Sequence, residues 1–413
     1  MREVSRLNAL SFWHSDYTAD VSPRRAGIAF FGNSSYERAA LKKLGGVHIV
    51  RNPLDILVSA YHSHRNTHPE DGWKELTKQR ALLKRVGLEE GLYLTTTFLE
   101  RADINAGAVG PLFALRNWDY DDPRFVTVRT EDFVARPAST VRSLQAFADL
   151  KLPSDDRFTF EAVSGGRTRG EVNSSSHYRS GASNQWKTCV PAAIISYAQT
   201  YYAPLLRRFY PEVQLHNQDL DRPFYELDES TRIALANSAI AGQGTVLERW
   251  KHLGQAEGAE WTARLMHAAS MVEGCNVVVD LGCGSMGLES LLRPATKYIP
   301  MDVVARDHRT RIVDFNKDSI PNVCADAGVL LGLLEYVHNI GRLLKECRGC
   351  FKNLVLSYNC LKTGDHLDAR RAHAWVNDLT EQAIEKVFLS SGWRISHKMD
   401  LGRNQLLWKL QHA

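Results

Sequence analysis

Three glycines and three carboxylates in the second half of the chain stand at or just after the ends of apolar runs, where a ligand can meet them. Asp280 ends the apolar run 277–279, and Gly282, Gly284 and Gly287 punctuate the turn after it. Glycines in such a turn let the backbone approach a ligand and adopt torsions closed to residues with a Cβ. Asp302 ends the next apolar run, about twenty residues on, where an acid can hold a ribose diol. Asp314 ends a third such run. In the first half, Arg51 presents a fork of donors and Ser59 a hydroxyl, a pair suited to a phosphate.

The elements that must position these groups follow from the pattern. Three consecutive valines at 277–279 form a strand buried on both faces, of the kind found inside a parallel sheet. Residues 288–292 start a helix, so the glycine turn feeds a helix N-terminus. Further strands are expected at 298–301, 311–313 and 354–357. In the first half, residues 7–13 run into His14, and 27–31 is another apolar run. The short buried strand 47–50 delivers Arg51, Asn52 and Pro53. From Leu54 the spacing turns helical, with Ile56, Leu57, Ala60 and Tyr61 on one face. Pro53 suits the first turn, and the helix start adds its dipole and free N–H groups to Arg51 and Ser59.

The arrangement Asp-x-Gly-x-Gly, then Asp302, then Asp314, resembles class I S-adenosylmethionine-dependent methyltransferases over residues 271–413. Residues 324–339 look like that family's fourth strand and the helix after it, and 393–398 with 404–410 like its closing strand pair. The third glycine departs from the commonest pattern, standing at 287 instead of 286. The resemblance implies that Gly282 and Gly284 approach the amino-acid end of S-adenosylmethionine and that Asp280 orients its ammonium. Asp302 would bond the ribose, and Asp314 with Phe315 would meet the adenine. Glu335, Tyr336, His338, Tyr358 and Asn359 are candidate positioners of the acceptor, and Arg249, Trp250 and Trp261 candidate pocket residues. All of these equally suit packing or solvated loops, and the turn also suits a Rossmann-like core for another nucleotide.

Residues 48–64 closely resemble the 3′-phosphate motif of sulfotransferases that use 3′-phosphoadenosine 5′-phosphosulfate (PAPS), with Arg51 and Ser59 at its two ligand positions. Residues 125–133 are similar to that family's strand ending in Tyr-Glu-Asp-Leu, followed by Arg136, Pro137 and a helix at 139–150. Residues 178–187 resemble its late loop, which implies that Arg179 and Gly181 close over the nucleotide with Trp186 packing beneath. There are departures. Ser180, Asn184 and Gln185 stand for lysine, glycine and aspartate, and Thr130 for tyrosine. The lysine-containing loop that grips the 5′-phosphosulfate is expected ahead of Leu7, so it is either upstream of residue 1 or lost. Without that positive charge, sulfuryl transfer would slow by orders of magnitude. His14 is the candidate catalytic base, with His62 and His64 in competition.

The chain of 413 residues is long enough for two domains, each with its own core. No apolar run reaches the length of a membrane span, and 1–8 is polar and basic, without a signal-peptide core. A net charge of +4 is too slight to argue for nucleic acid. Seven scattered cysteines, without paired spacing for a metal or a disulfide framework, suit a reduced, cytoplasmic protein. The composition turns polar over 214–222. The expected fold is α/β in two domains: a P-loop-type sulfotransferase-like parallel sheet at 1–215 and a Rossmann-like class I methyltransferase sheet at 271–413, joined by a helical connector and cap at 216–270. Helices are expected there at 228–242, 245–254 and 257–272. The expected function is a bifunctional tailoring enzyme that sulfates and methylates a small-molecule or carbohydrate hydroxyl, with S-adenosylmethionine and PAPS as cofactors, no metal and no nucleic acid or membrane partner. The alternatives are a methyltransferase whose front half is only a scaffold, and a non-catalytic nucleotide-binding module.

Overall fold

The computed structural model describes residues 8–9, 12–15, 28–32, 45–70, 73–105, 108–135, 140, 142, 144–145, 151, 159–176, 179–253 and 258–413. The chain divides into two compact units, Met1–Tyr210 and Pro211–Ala413. Both mix helices with parallel strands, as expected. Among the described residues no helix is long and apolar enough to cross a membrane.

In the first unit β1 (Phe12–Ser15) pairs in parallel with β2 (Ile28–Phe31), and β3 (Gly46–Val50) with β4 (Phe125–Arg129). β3 leads directly into α1 (Pro53–His62), which begins with proline and is capped by the Asn52 side chain accepting from the Leu54 N–H at 3.0 Å. Leu54, Leu57, Val58 and Tyr61 are buried along one face of α1, an amphipathic stripe, whereas Ile56 and Ala60, expected on the face with Leu57 and Tyr61, are half-buried. A five-residue π-turn, Ser63–Thr67, extends it. Most of the expected helix at 139–150 lies outside the described residues.

The second unit is built on a seven-stranded sheet. Its strands are β5 (Val277–Leu281), β6 (Lys297–Asp302), β7 (Arg311–Ile312), β8 (Ala325–Leu331), β9 (Phe351–Asn359), β10 (Trp393–Gly402) and β11 (Gln405–His412). They lie in the order β10-β11-β9-β8-β5-β6-β7. β5 to β9 pair in parallel, and β11 runs antiparallel to both β9 and β10. This is the strand order of the class I methyltransferase fold.

Alternation along β5 shows why its valines are consecutive. Val278 packs with Ala268 of α2 (Gly258–Met271) and with Val272 just after it, whereas Val279 packs with Leu343 and Leu344 from α3 (Ile340–Cys350) and with Phe388 from α4 (Glu381–Ser390). Both faces are covered, so neither tolerates a polar residue.

Two expectations fail. Residues 288–292 form only a 3₁₀ turn, Glu289–Leu291, after which Leu292 is extended. Pro294 explains this, because it cannot continue a helix and biases the residue before it away from helical torsions. The expected helix at 245–254 is reduced to Glu248–Lys251.

Candidate functional site

In the second unit β5, β6, β8 and β9 end on one side of the sheet. Successive connections leave β5 in opposite directions, to β6 and then from β7 to β8. Ligands of open α/β sheets bind outside the carboxyl ends of the strands at such a reversal. A cavity of about 680 Å³ lies there, lined by Asp280, Asp302, Gly332 and Asn359 from the four strand ends or the residues just after them. Gly282, Gly284, Asp314 and Phe315 line it too, so all five residues predicted for this site meet in one place with Phe315.

The turn geometry explains the glycines. Gly282 and Gly284 hold φ +75° and +52°, in the left-handed region that side chains disfavour. Met286 holds φ +59°. The third left-handed residue thus falls at 286, where the methyltransferase pattern has its glycine. Gly287 serves packing instead, since a Cβ there would stand 2.9 Å from Leu265 Cδ1.

The carboxylates differ in their surroundings. Asp280 is buried and accepts from the Tyr298 hydroxyl at 2.7 Å. Burial pushes its carboxyl up to about 7, against the pull of that hydrogen bond. Asp302 accepts the Gly284 N–H at 2.9 Å on Oδ2, and the Val304 N–H at 3.1 Å and Arg306 Nη2 at 3.2 Å on Oδ1. Oδ2 also accepts the Cys283 thiol at 4.0 Å, a weak donor that a stronger one can displace. Asp314 accepts from the Thr245 hydroxyl at 2.6 Å and pairs with Lys317 at 3.2 Å.

Of the candidate positioners, Glu335, Tyr336 and Asn359 line the cavity, as do Arg249, Trp250 and Trp261. Two do not. The Tyr358 hydroxyl donates to Asn377 Oδ1 at 2.5 Å, and His338 Nε2 lies 2.9 Å from the Gly244 carbonyl. Sequence reasoning missed Arg264 and the His373–Trp375 turn, which also line the cavity. Arg264 is 8 % exposed and its Nε has no hydrogen-bond partner. Burial holds its pKa below the usual arginine range, against Glu335, Tyr336 and Asp280. Glu335 accepts the Asn359 N–H at 2.9 Å with Oε1, while its buried Oε2 has no partner. Nothing in the sequence marks a helical arginine as buried.

In the first unit, α1 and the loop 179–187 are latched together. Asp55 is 2 % exposed and accepts the backbone N–H of Asn184 at 2.7 Å and of Trp186 at 3.4 Å. The latch brings Arg51 and Arg179 within electrostatic reach of each other, and burial is the main cause that lowers the pKa of Arg179. Asn184 holds φ +62°, at the place of the sulfotransferase glycine, and asparagine is among the few side chains that accept it. Gly181 holds φ +62°, and a Cβ there would collide with the Phe160 ring at 2.3 Å. Gln185 accepts from Arg179 Nη2, and the Thr130 hydroxyl donates to the Val50 carbonyl at 2.9 Å. Ser59 is a half-buried member of α1.

The three histidines are placed differently. His14 lies on β1 opposite Phe30, and its side chain is outside the described residues. His64 is 5 % exposed, with Nδ1 2.8 Å from Gln79 Oε1 and its ring among Trp73 and Phe98, which makes it a packing residue. His62 is half-buried, and burial followed by Arg179 and Arg65 holds it at about 4.

Residues 37–210 match the sulfotransferase domain family. The match spans Arg51, Ser59, Arg179 and Gly181 and begins after His14. The chain is a transferase, with this domain at its front. No curated protein matches it. Among solved structures it is similar to a 1,6-didemethyltoxoflavin-N1-methyltransferase of Burkholderia thailandensis with 1,6-didemethyltoxoflavin and S-adenosylhomocysteine bound (14% identity, 48% of this chain and 93% of that one, TM-score 0.33). A second is an S-adenosylmethionine-dependent methyltransferase of Mesorhizobium loti (17% identity, 38% and 99%, TM-score 0.30). A third is the mitomycin 7-O-methyltransferase MmcR (13% identity, 55% and 70%, TM-score 0.33). The strand order and the cavity at its reversal give the second unit a class I methyltransferase fold.

Proposed function

We propose that the chain is a bifunctional tailoring transferase, with S-adenosylmethionine-dependent methyl transfer to a hydroxyl in the second unit and PAPS-dependent sulfuryl transfer in the sulfotransferase domain. The observation that supports it most is the cavity at the sheet's reversal, whose wall holds a buried arginine and a buried carboxylate oxygen with no protein partner. Its volume is in the range of small-molecule sites. Bare polar atoms at that depth are expensive unless a ligand meets them.

Arg264 would take the amino-acid carboxylate of S-adenosylmethionine and Asp280 its ammonium, whose charge offsets the burial that raises the Asp280 carboxyl. Gly282 and Gly284 let the backbone close in, Asp302 would accept a ribose hydroxyl on Oδ2 in place of the weak Cys283 thiol, and Asp314 with Phe315 flanks the adenine. When bound, the cofactor supplies an activated methyl group for in-line displacement. The remaining task of the protein is to place and deprotonate the acceptor. In the sulfotransferase domain Arg51 and Ser59 would hold the 3′-phosphate of PAPS, which supplies an activated sulfuryl group. Arg179 and Gly181 would cover the nucleotide.

A second reading is supported by Gln185, which occupies the Arg179 guanidinium where the family has an aspartate. In that reading only the methyltransferase turns over, and the front unit positions the acceptor. Titration calorimetry with S-adenosylhomocysteine and with adenosine 3′,5′-bisphosphate separates the two. Binding of both is the expected result. Binding of the first alone selects the second reading, and binding of neither overturns both. Arg264→Met is expected to weaken S-adenosylhomocysteine by about tenfold or more, the loss of one charge-assisted contact.

A further inference from the structure

We propose that the methyl acceptor is a flat phenol, held in a box of Tyr225, Arg249, Trp250, Tyr336, His373 and Trp375, and that His373 takes its hydroxyl proton. This rests on the methyl-transfer reading of the second unit and names the substrate class and the base that reading leaves open.

The six side chains form a closed circuit, and all of them line the same cavity as the glycine turn. The Arg249 guanidinium lies 4.6 Å from the Tyr225 ring centre and 4.7 Å from that of Trp250. Trp250 meets Tyr336 edge-on at 4.7 Å. Trp375 Nε1–H donates to the Tyr336 hydroxyl at 3.2 Å, and the Trp375 and His373 ring centres are 5.2 Å apart. His373 Nδ1, 3.2 Å from the Tyr225 hydroxyl, closes the circuit.

The backbone gives a second, independent sign. Ala374, between His373 and Trp375, holds φ +64° and is fully buried among Phe224, Leu227, Leu235 and Val246. A left-handed alanine is strained, and such strain persists where the surroundings impose it, often at a site of function. Here it turns the chain between two residues that both face the cavity.

The chemistry of the walls selects the ligand. Aromatic faces and edges favour a flat ring. Burial, then Arg249, Arg232 and Arg370, lower the pKa of His373, so the imidazole is neutral at pH 7 and surrounded by positive charge. That field repels ammonium groups and stabilises an oxyanion. A phenol ionises near 10, within reach of a neutral imidazole aided by cations, whereas an aliphatic hydroxyl, ionising near the ~16 of water, is not. In the tautomer whose Nδ1–H donates to the Tyr225 oxygen, Nε2 carries the free lone pair and is the atom this step uses. In the step, the phenol O–H proton passes to Nε2 and an oxygen lone pair forms the new O–CH₃ bond. The electron pair of the broken carbon–sulfur bond stays on sulfur, and His373 returns its proton to water.

The test uses the full chain, S-adenosylhomocysteine and 4-nitrophenol, whose absorbance reports its own ionisation. Bound nitrophenol is expected to ionise about one pH unit or more below the free molecule, and Arg249→Met to abolish that displacement. His373→Gln is expected to keep S-adenosylhomocysteine and nitrophenol affinity, which also shows that it folds. Its methylation of 4-nitrocatechol should fall about 100-fold or more. Unchanged turnover in His373→Gln overturns the assignment of the base. Failure to bind nitrophenol while S-adenosylhomocysteine binds, or preference for methyl glucoside, overturns the phenol site alone. Failure of S-adenosylhomocysteine to bind overturns the methyl-transfer reading and this inference with it.

Discussion

Met286 carries a backbone conformation that its side chain disfavours, at φ +59° and half-buried. A left-handed L-residue costs roughly 1–2 kcal/mol, and glycine at the same place would lose more chain entropy, roughly 0.5–1 kcal/mol. Met286→Gly is therefore expected to be neutral or stabilising by up to ~1 kcal/mol, measured by urea denaturation. Gly282→Ala is the opposite case. Its φ of +75° is as unfavourable for alanine, and the new methyl would stand 3.1 Å from Leu333 Cδ1. It should cost about 1–2 kcal/mol and weaken S-adenosylhomocysteine, because the backbone could no longer approach. Destabilisation by Met286→Gly as large as that by Gly282→Ala would show that side-chain packing, not torsion, sets this turn.

At the scale of elements, α1 and the loop 179–187 are held by one carboxylate. Asp55 accepts two backbone N–H groups from the loop, and hydrogen bonds to a charged group contribute about 1.5–3 kcal/mol each. Asp55→Ala removes the acceptor of both donors, and the Trp186 N–H is then buried and unmet. Peptides covering 180–187 should lose hydrogen-exchange protection, with weaker binding of adenosine 3′,5′-bisphosphate, while β3 and β4 stay protected. Unchanged exchange in the loop would mean that Trp186, fully buried, holds it without the latch. The strand ends are legible in the sequence because they depend on local chemistry, a run of β-branched residues, then an acid, then glycine, whereas the loop is legible only through its resemblance to the sulfotransferase loop. The sequence does not show the lost helix after β5, where Pro294 overrides an apolar pattern. Nor does it show the acceptor box. His373 and Trp375 are presented by a turn around a left-handed alanine, which has no period, and Arg264 is buried only because a sheet and a second loop close over its helix.

The two units of the molecule respond to mild acid in opposite directions. In the first, His48 is held at about 3 and His62 and His64 at about 4, burial being the main cause in each. Their unfolded values lie near 6.5. Between about 6.5 and 4 the unfolded chain binds the extra protons, so the stability of this unit falls as pH falls through that window. Each tenfold difference in proton affinity corresponds to about 1.4 kcal/mol, less for the half-exposed His62, where solvent screens the charge. Asp55 and Glu100, both raised by burial, oppose the trend but are displaced less. In the second unit burial raises Asp280 to about 7 and also raises Glu335. With unfolded carboxyls near 4, the native unit binds more protons between about 4 and 7, and its stability rises as pH falls through 7. His373, whose ring is only partly buried, acts the other way there, and solvent screens its charge enough that it contributes little. Hydrogen exchange of the whole chain at pH 7.5 and pH 5 should therefore show protection lost across 46–62 and 125–129 while the strands at 277–281 and 325–331 hold or gain. Loss in the second unit first would mean that the Asp280 and Glu335 carboxyls are ionised in the folded chain, and that the cavity is more open to water than their burial indicates.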